Sequence, residues 1–188
     1  MAICDKLTAG VLFDCDNIIK PGAEDTLVVF NWEDVDKSAT NLVTGKTTQI
    51  ETFATLNSAT GYTFQGTNAS NSASETNIVE GFNPQKYEHN PAFYIFQDNE
   101  EVPERIKELV GGNYIAVLFT KNSQVKVYGW DTGLRVTYTK STVENEALYV
   151  ITMANNENEF QTTPAKTYVK DGTTDFETLK ADIIALTA

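Results

Sequence analysis

The chain has 188 residues, of which 41% are hydrophobic and only 21% are charged, and its formal net charge is −12. This length predicts one domain with a real core, and the excess of acidic residues excludes ordinary binding to nucleic-acid phosphates, which requires a basic surface. Threonine, asparagine and serine are abundant; threonine favours strands and the other two favour turns, so the composition predicts a mainly β protein.

The N-terminal part is acidic: residues 1–36 contain eight acidic and two basic side chains, a net charge of −6. Asp5, Asp14 and Asp16 do not fit a secretory signal, and no apolar run approaches the ~20 residues that a membrane helix needs. We therefore expect synthesis in the cytoplasm and no contact with a membrane. Residues 1–25 are predicted to form an arm with one short strand at residues 11–13.

The two cysteines, Cys4 and Cys15, are too few for a disulfide framework. They can form one bridge, but two buried free thiols are the expected state. Their spacing does not match a zinc CxxC pair, and the acidic residues around Cys15 lack the glycine and closing glutamate of a calcium loop. No metal or cofactor is predicted.

Strand patterns follow in the first half of the chain. Residues 27–32 form an apolar, β-branched run typical of a strand. Residues 47–54 alternate, with one mostly polar side that faces either solvent or a wet channel. A hairpin is expected between residues 55 and 66. Residues 66–77 contain no apolar side chain larger than alanine, so they cannot bury enough surface to offset the entropy of ordering and are predicted to form a long mobile loop.

The middle of the chain contains a strand at residues 92–96 and a short helix at residues 103–111. Pro103 stands in the first turn of this helix and Gly111 ends it. Its predicted buried face is formed by Ile106, Leu109 and Val110. The only histidine, His89, precedes Asn90-Pro91, and no local motif supplies a nucleophile beside it, so we expect it to cap a turn.

Residues 113–139 are predicted to form the centre of the sheet. Residues 114–119 are apolar throughout, as in a strand buried on both faces, whereas residues 125–128 and 134–139 alternate as half-buried strands. The intervening turns, including one at Gly133, predict a three-stranded antiparallel meander. Residues 121–140 carry a net charge of +3. This is either a solvated strand face or a basic edge that meets an acidic surface on a neighbouring copy; its members are Lys121, Lys126, Arg135 and Lys140.

The C-terminal part predicts strands at residues 147–153 and 166–169, followed by a helix. Thr174 and Glu177 form a capping box at its start. The apolar positions that follow give the helix one buried stripe. They are Phe176, Leu179, Ile183, Ile184 and Leu186.

Catalytic motifs are absent from the sequence: it has no GxGxxG, Walker loop, HExxH or GxSxG. Acidic proteins always supply paired carboxylates, so these alone do not indicate acid–base chemistry. We expect a protein that is not an enzyme.

Two groups of residues carry a resemblance to a known class of proteins. The first is Cys4-Asp5, Gly10, Asp14-Cys15, then residues 27–31 followed by Asp34. The second is Tyr87-x-His89, Phe93, a short helix, an apolar strand, Val127-Tyr128-Gly129 and Gly133-Leu134. In this order they resemble virion structural proteins, of the tail-tube or ring type, from phages and prophages of Bacteroidetes-type bacteria. The resemblance covers roughly residues 1–140.

The resemblance implies an antiparallel β-sandwich or barrel with an outer helix, a long loop and extended arms. It implies self-assembly into rings, commonly hexameric, whose strands close into a wide barrel, with other virion proteins and passing DNA as partners. An acidic lumen would not hold DNA. Thr47, Gln49 and Glu51 would face this lumen. The 66–77 loop would order against the next ring through Gly66, Asn68, Ser70 and Asn77.

Two other readings stay open. One is a capsid decoration or head-fibre protein, which is also structural. The other is a small-ligand-binding β-barrel whose cavity is lined by Trp32, Trp130 and tyrosines.

Overall fold

The computed structural model describes residues 22–67, 70–80, 83–96, 99–143, 146–157, 159–170 and 175–188. The expected strand at residues 11–13, both cysteines and most of the predicted arm therefore lie outside the described residues. Mainly β structure with one mid-chain and one C-terminal helix is confirmed, as two sheets that do not close into a barrel. The elements are β1 Ala23–Asn31, β2 Gln49–Ile50, β3 Tyr62–Gln65, β4 Ser72–Glu80, β5 Asn83–Ile95, α1 Val102–Val110, β6 Tyr114–Thr120, β7 Gln124–Tyr128, β8 Arg135–Val143, β9 Glu146–Ala154, β10 Lys166–Tyr168 and α2 Phe176–Ile184.

A six-stranded sheet with the order β2-β10-β7-β6-β1-β3 forms the middle layer. β6 lies between β7 and β1, and its residues 114–119 are all buried. The sequence prediction of a strand covered on both faces is confirmed. The reason is that a different layer packs on each face of this sheet.

One face of the middle sheet packs against a four-stranded sheet with the order β4-β5-β9-β8. Leu27, Val29 and Leu118 of the middle sheet meet Phe93 and Ile151 of the second sheet in one core. Helix α1 closes this core with a short buried side. That side is Val102, Ile106 and Leu109.

The other face of the middle sheet is covered by α2 and by the irregular chain between β1 and β3. Phe30, Val117 and Phe119 pack here against Ile50, Phe53 and the α2 residues Leu179 and Ile183. The outer faces of the two sheets therefore differ. Both faces of the middle sheet are covered by other elements, whereas only one face of the four-stranded sheet is covered by a described element.

The predicted three-stranded meander is wrong at its third strand. β7 pairs with β6 and β10, whereas β8 pairs with β9 in the other sheet. Gly129 and Gly133 both have a φ of 78°, a conformation that glycine adopts without steric cost. A Cβ on Gly129 would also stand 2.5 Å from Leu134 Cγ. These two glycines carry the chain from one sheet to the other instead of forming a hairpin.

The predicted 66–77 loop is wrong from Ser72 onward, because residues 72–77 form the first part of β4. They pair residue for residue with β5, from Ser72 opposite Ala92 to Asn77 opposite Tyr87. A loop was predicted because the side chains of residues 66–77 are too small to bury apolar surface. Here backbone hydrogen bonds to a long neighbouring strand order a segment of small side chains.

Three smaller predictions are also corrected. Residues 47–54 form only the two-residue strand β2, since the backbone N–H groups of Glu51 and Thr52 turn to the carbonyl of Asn41. On α1 the third buried residue is Val102, while Val110 is 40% exposed. On α2 the N-cap is Asp175, whose carboxylate accepts from Thr178 N–H. The expected cap, Thr174, lies outside the described residues. Ile184, which was expected in the buried stripe of this helix, is exposed.

Candidate assembly surface

No described element covers the outer face of the four-stranded sheet, and many of its side chains are small and polar. Register places Ser72, Ala92, Thr152 and Thr137 in one row across all four strands. Of this row, the serine and both threonines are exposed. The rows on either side mix small polar side chains with larger, charged and apolar ones. They contain Ser74, Thr76, Glu88, Asn90, Tyr94, Arg135, Thr139 and Val150.

The two outermost strands of this sheet, β4 and β8, each have one strand partner in the described part of the chain. Leu134, just before β8, shows which way the backbone N–H and C=O groups of this strand point. It exchanges both backbone hydrogen bonds with Tyr114, at 2.8 and 2.9 Å, on the side away from β9. In antiparallel strands alternate residues direct their N–H and C=O to the same side. Val136 and Tyr138 therefore direct theirs away from β9. Val136 is 4% exposed in the core that α1 closes, whereas Tyr138 is 49% exposed, so the open part of this edge begins at Tyr138.

The structure does not bring the four predicted basic residues to one edge. Lys121 and Lys126 belong to the middle sheet, whereas Arg135 and Lys140 lie on β8. Lys126 Nζ donates to Thr167 Oγ1 at 2.8 Å, and burial lowers its pKa against an opposing effect of Glu75. The predicted continuous basic edge is wrong, because the chain changes sheet between its second and third members.

The two basic residues on β8 already have contacts within the chain. Arg135 Nε donates to Asn156 Oδ1 at 2.8 Å, and Lys140 Nζ lies 4.9 Å from the centre of the Tyr149 ring. Both residues are exposed. They place two positive charges along the open edge strand.

The residues that were expected to face a lumen lie on the other sheet. Gln49 is in β2, at the margin of the middle sheet, with Thr47 just before it and Glu51 just after it. The carbonyl of Thr47 accepts from Lys166 Nζ at 2.6 Å. This places them away from the bare face of the four-stranded sheet.

The residues predicted to contact a neighbouring ring have different environments. Gly66 N–H donates to the carbonyl of Asp25 at 2.8 Å. Ser70 is only 7% exposed, and its hydroxyl accepts from Thr67 N–H and donates to the Thr67 carbonyl. Asn68 lies outside the described residues, and Asn77 is exposed on β4. Gly66 and Ser70 thus form an internal turn, while Asn77 stays available on the surface.

His89 caps a turn, but a distant one: its ring binds Gly129, whose carbonyl accepts from Gly133 N–H at 3.0 Å. His89 lies within β5, is 1% exposed, and its Nδ1 accepts from Gly129 N–H at 3.1 Å. The ring is the neutral Nε2–H tautomer, since a protonated Nδ1 could not accept this bond. Nε2 has no hydrogen-bond partner among the described residues and lies 3.8 Å from Glu75 Oε2. Periodicity could have indicated burial, because His89, Pro91 and Phe93 alternate with Glu88, Asn90 and the small residue Ala92.

Burial lowers the pKa of His89 more than its charged neighbours compensate. Glu75 and Asp131 act to raise it and Lys166 acts to lower it. In the unfolded chain the pKa is about 6.5, so below that pH the unfolded state binds a proton that the folded state resists. Stability is complete above pH ~6.5 and falls as the pH drops toward the lower folded pKa.

We expect the free energy of unfolding of the natural protein to decline between pH 7 and pH 5 more steeply than that of His89→Gln, which keeps an acceptor for Gly129 N–H but does not titrate. Urea denaturation at several pH values measures both slopes. Carboxylates contribute equally to the two proteins. Parallel pH profiles would show that His89 carries none of this dependence.

The two tryptophans lie close together and are joined by a hydrogen bond. Trp32 Nε1 donates to the Trp130 carbonyl at 3.1 Å, and Lys37 Nζ lies 3.3 Å from the centre of the Trp32 ring. Burial lowers the pKa of Lys37 to about 8, against the opposing charge of Asp131. A cavity of about 540 Å³ lies elsewhere, between β3 and α1, and neither tryptophan lines it. The tryptophan-lined pocket of the small-ligand reading stays a prediction.

Comparisons with protein-family models, characterised proteins and solved structures found no match. Within the described ranges no helix is long and apolar enough to cross a bilayer. No group of three His, Cys, Asp or Glu side chains in those ranges is arranged to hold a metal ion. The two sheets and their surfaces are therefore the features that bear on function.

Proposed function

We propose that this chain is a structural subunit that assembles by joining four-stranded sheets edge to edge, as in the tail-tube or ring proteins of a phage virion. The observation that carries this proposal is the four-stranded sheet itself. Its outermost strands, β4 and β8, each run for nine residues with one strand partner in the described chain, and its outer face is bare. Such an edge is a template for pairing with another copy.

Ring closure gives each edge a partner. A ring of about six copies would place about 24 strands side by side, more than the 16–18 strands that already leave an aqueous channel in porins. At roughly 4.8 Å per strand, the backbone circumference would be about 115 Å before strand tilt. The middle sheet and α2 would form the outer wall, because both faces of that sheet are already covered.

The bare face would then line the lumen. Its described side chains are mainly hydroxyls and small groups, with Lys86, Glu88 and Arg135 as the charged members. A lumen of this kind holds few cations for phosphate groups, and the chain's net charge of −12 repels DNA at longer range. This proposal moves the lumen from Thr47, Gln49 and Glu51 to β4, β5, β8 and β9, and makes it hydroxyl-lined instead of acidic.

In this proposal the partners are further copies of the chain, other virion proteins and DNA that passes without specific binding, and the location is the virion. Negative-stain electron microscopy and light scattering of the purified protein across a concentration series provide the test. We expect rings or stacked tubes of uniform width. A monodisperse monomer at the highest concentration would contradict the proposal, and small assemblies without a central channel would favour a decoration protein.

A further inference from the structure

The two outermost strands of the four-stranded sheet carry opposite charges. β8 contains two basic residues, Arg135 and Lys140, and no acidic residue. β4 contains two acidic residues, Glu75 and Glu80, and no basic residue. Contact between two β8 edges or between two β4 edges would bring like charges together, which destabilises a strand pair. Contact between a β8 edge and a β4 edge brings opposite charges together.

The neighbouring strand β5 shows which backbone groups of β4 point outward. Tyr87 of β5 exchanges both backbone hydrogen bonds with Gln161, at 2.9 and 3.1 Å, so it directs none to Asn77, the β4 residue opposite it. The N–H of His89 also donates away from β4, and the β4 residue opposite His89 is Glu75. In an antiparallel pair, two opposite residues that do not bond each other both direct their groups outward. Glu75 and Asn77 therefore present N–H and C=O groups at the open edge of β4.

The outward-directed residues of β8 and β4 lie on the same face of the sheet. Lys140 is opposite the buried Tyr149, and its Nζ lies 4.9 Å from the centre of that ring. Glu75 is opposite the buried His89. Both side chains are therefore on the face that packs on the core. Two strands extend one pleated sheet when the residues that exchange hydrogen bonds share a face, and β8 and β4 meet this condition.

Strand direction and charge together select one register. Successive strands of this sheet are antiparallel, so β4 and β8 run in opposite directions. A copy related by rotation about a ring axis would bring its β4 antiparallel to β8. Setting Lys140 opposite Glu75 then sets Tyr138 opposite Asn77. Because the two bases of β8 and the two acids of β4 are each five residues apart, the same register also brings the second base level with the second acid.

The two charged side chains of this register are accessible to a neighbouring copy. Lys140 is exposed. The Glu75 side chain is 32% exposed, and its Oε2 accepts from Ala165 N–H at 2.7 Å, which holds the carboxylate beside β4. An ion pair in such a partly exposed place contributes little affinity. The backbone bonds would supply the affinity, and the charges would decide which edge pairs with which.

We propose that β8 of one copy pairs antiparallel with β4 of a second copy, with Tyr138 opposite Asn77 and Lys140 opposite Glu75. This inference rests on the edge-to-edge assembly proposed above and names the two edges that meet. Each copy uses two different surfaces, so the contact is directional. It repeats from copy to copy instead of ending in a two-fold dimer.

Disulfide formation between two variants tests this pairing. Both variants carry Cys4→Ser and Cys15→Ser; one adds Thr139→Cys and the other adds Thr76→Cys, at positions that are exposed. In the proposed register these two positions are opposite each other without a hydrogen bond, with Cα atoms about 4.5 Å apart, which is within the reach of a disulfide. The variants are mixed as dilute subunits, concentrated and mildly oxidised. We expect covalent dimers that contain one chain of each kind, and several-fold less product from either variant alone.

The matched control replaces Thr76→Cys with Ser74→Cys, which is also exposed and lies two residues along on the same face of β4. Its Cα would be about 7–8 Å from that of position 139, so we expect several-fold less disulfide. A second comparison adds Lys140→Gln to the Thr139→Cys protein and Glu75→Gln to the Thr76→Cys protein. Glutamine keeps an acceptor for the N–H that Glu75 binds. Each change alone should lower the yield, and both together should lower it no further, because they remove the same interaction.

The outcomes separate this inference from the proposed function. Self-dimers of the Thr139→Cys protein as abundant as mixed dimers would show two-fold pairing of β8, and equal yields at positions 74 and 76 would contradict the register; either result overturns the inference. Rings in negative-stain images without a mixed disulfide would overturn it while assembly stands. Mixed disulfides without rings would support the pairing and contradict the ring. Neither disulfides nor assemblies would overturn both proposals.

Discussion

Replacing Tyr138 with proline should abolish assembly while leaving the subunit folded. Tyr138 lies on β8, is 49% exposed, and directs its N–H away from β9 by alternation from Leu134. Proline removes this donor without breaking a bond to β9, and its ring obstructs a strand that approaches the edge. A loss of about 1.4 kcal/mol in binding free energy weakens the affinity of one subunit contact about tenfold. Because a ring contains several such contacts, the losses add up in the assembled particle. Particle yield by negative stain measures it.

The matched control is Tyr138→Thr, which removes the same aromatic ring but keeps the N–H. We expect this variant to assemble, and both variants to keep the circular dichroism spectrum of the natural protein. If Tyr138→Thr abolishes particles as completely as the proline variant, the side chain is responsible and the edge is not. If the proline variant assembles normally, β8 is not the joining strand.

Replacing Phe119 with alanine should lower the free energy of unfolding by about 3–5 kcal/mol, the usual cost of deleting a buried phenylalanine side chain. Phe119 is 0% exposed at the centre of the middle sheet. Its ring lies 6.4 Å from that of Phe176 and 5.5 Å from Lys180 Nζ, so the cavity would also loosen α2. Urea denaturation measures the loss.

Phe96→Ala deletes the same atoms where the ring is 46% exposed, and we expect it to change the free energy of unfolding by no more than about 0.5 kcal/mol. Similar losses in both variants would contradict the assignment of the core to the middle sheet. A large loss in Phe119→Ala alone would support the layered arrangement in which α2 and the four-stranded sheet cover opposite faces.

The local sequence pattern was sufficient to predict the strands and helices whose surroundings are the same along their whole length. The continuous apolar run at residues 114–119 predicted β6, and residues 27–31 predicted most of β1, because a strand covered on both faces needs apolar residues at every position. Helix α1 was equally clear, since Pro103 and Gly111 mark its ends chemically. The net charge and the mainly β class also followed from composition alone.

Other features depended on partners far away in the chain. Residues 72–77 look disordered by themselves and become a strand only because β5 supplies their backbone bonds. The buried Nδ1 of His89 is satisfied only because Gly129, 40 positions away, donates to it. The basic residues separate because two glycines carry the chain into a second sheet.

By itself, the sequence determined the mainly β class, the two helices, the strands β1, β6 and β7 of the middle sheet and the acidic charge. Only the tertiary structure decided which strands share a sheet, which edges stay open and which face is bare. The physical reason is that side-chain periodicity reports burial along one strand, whereas pairing is made by backbone groups that every residue carries. The edges of β4 and β8, from which assembly is proposed, belong to this second kind of information.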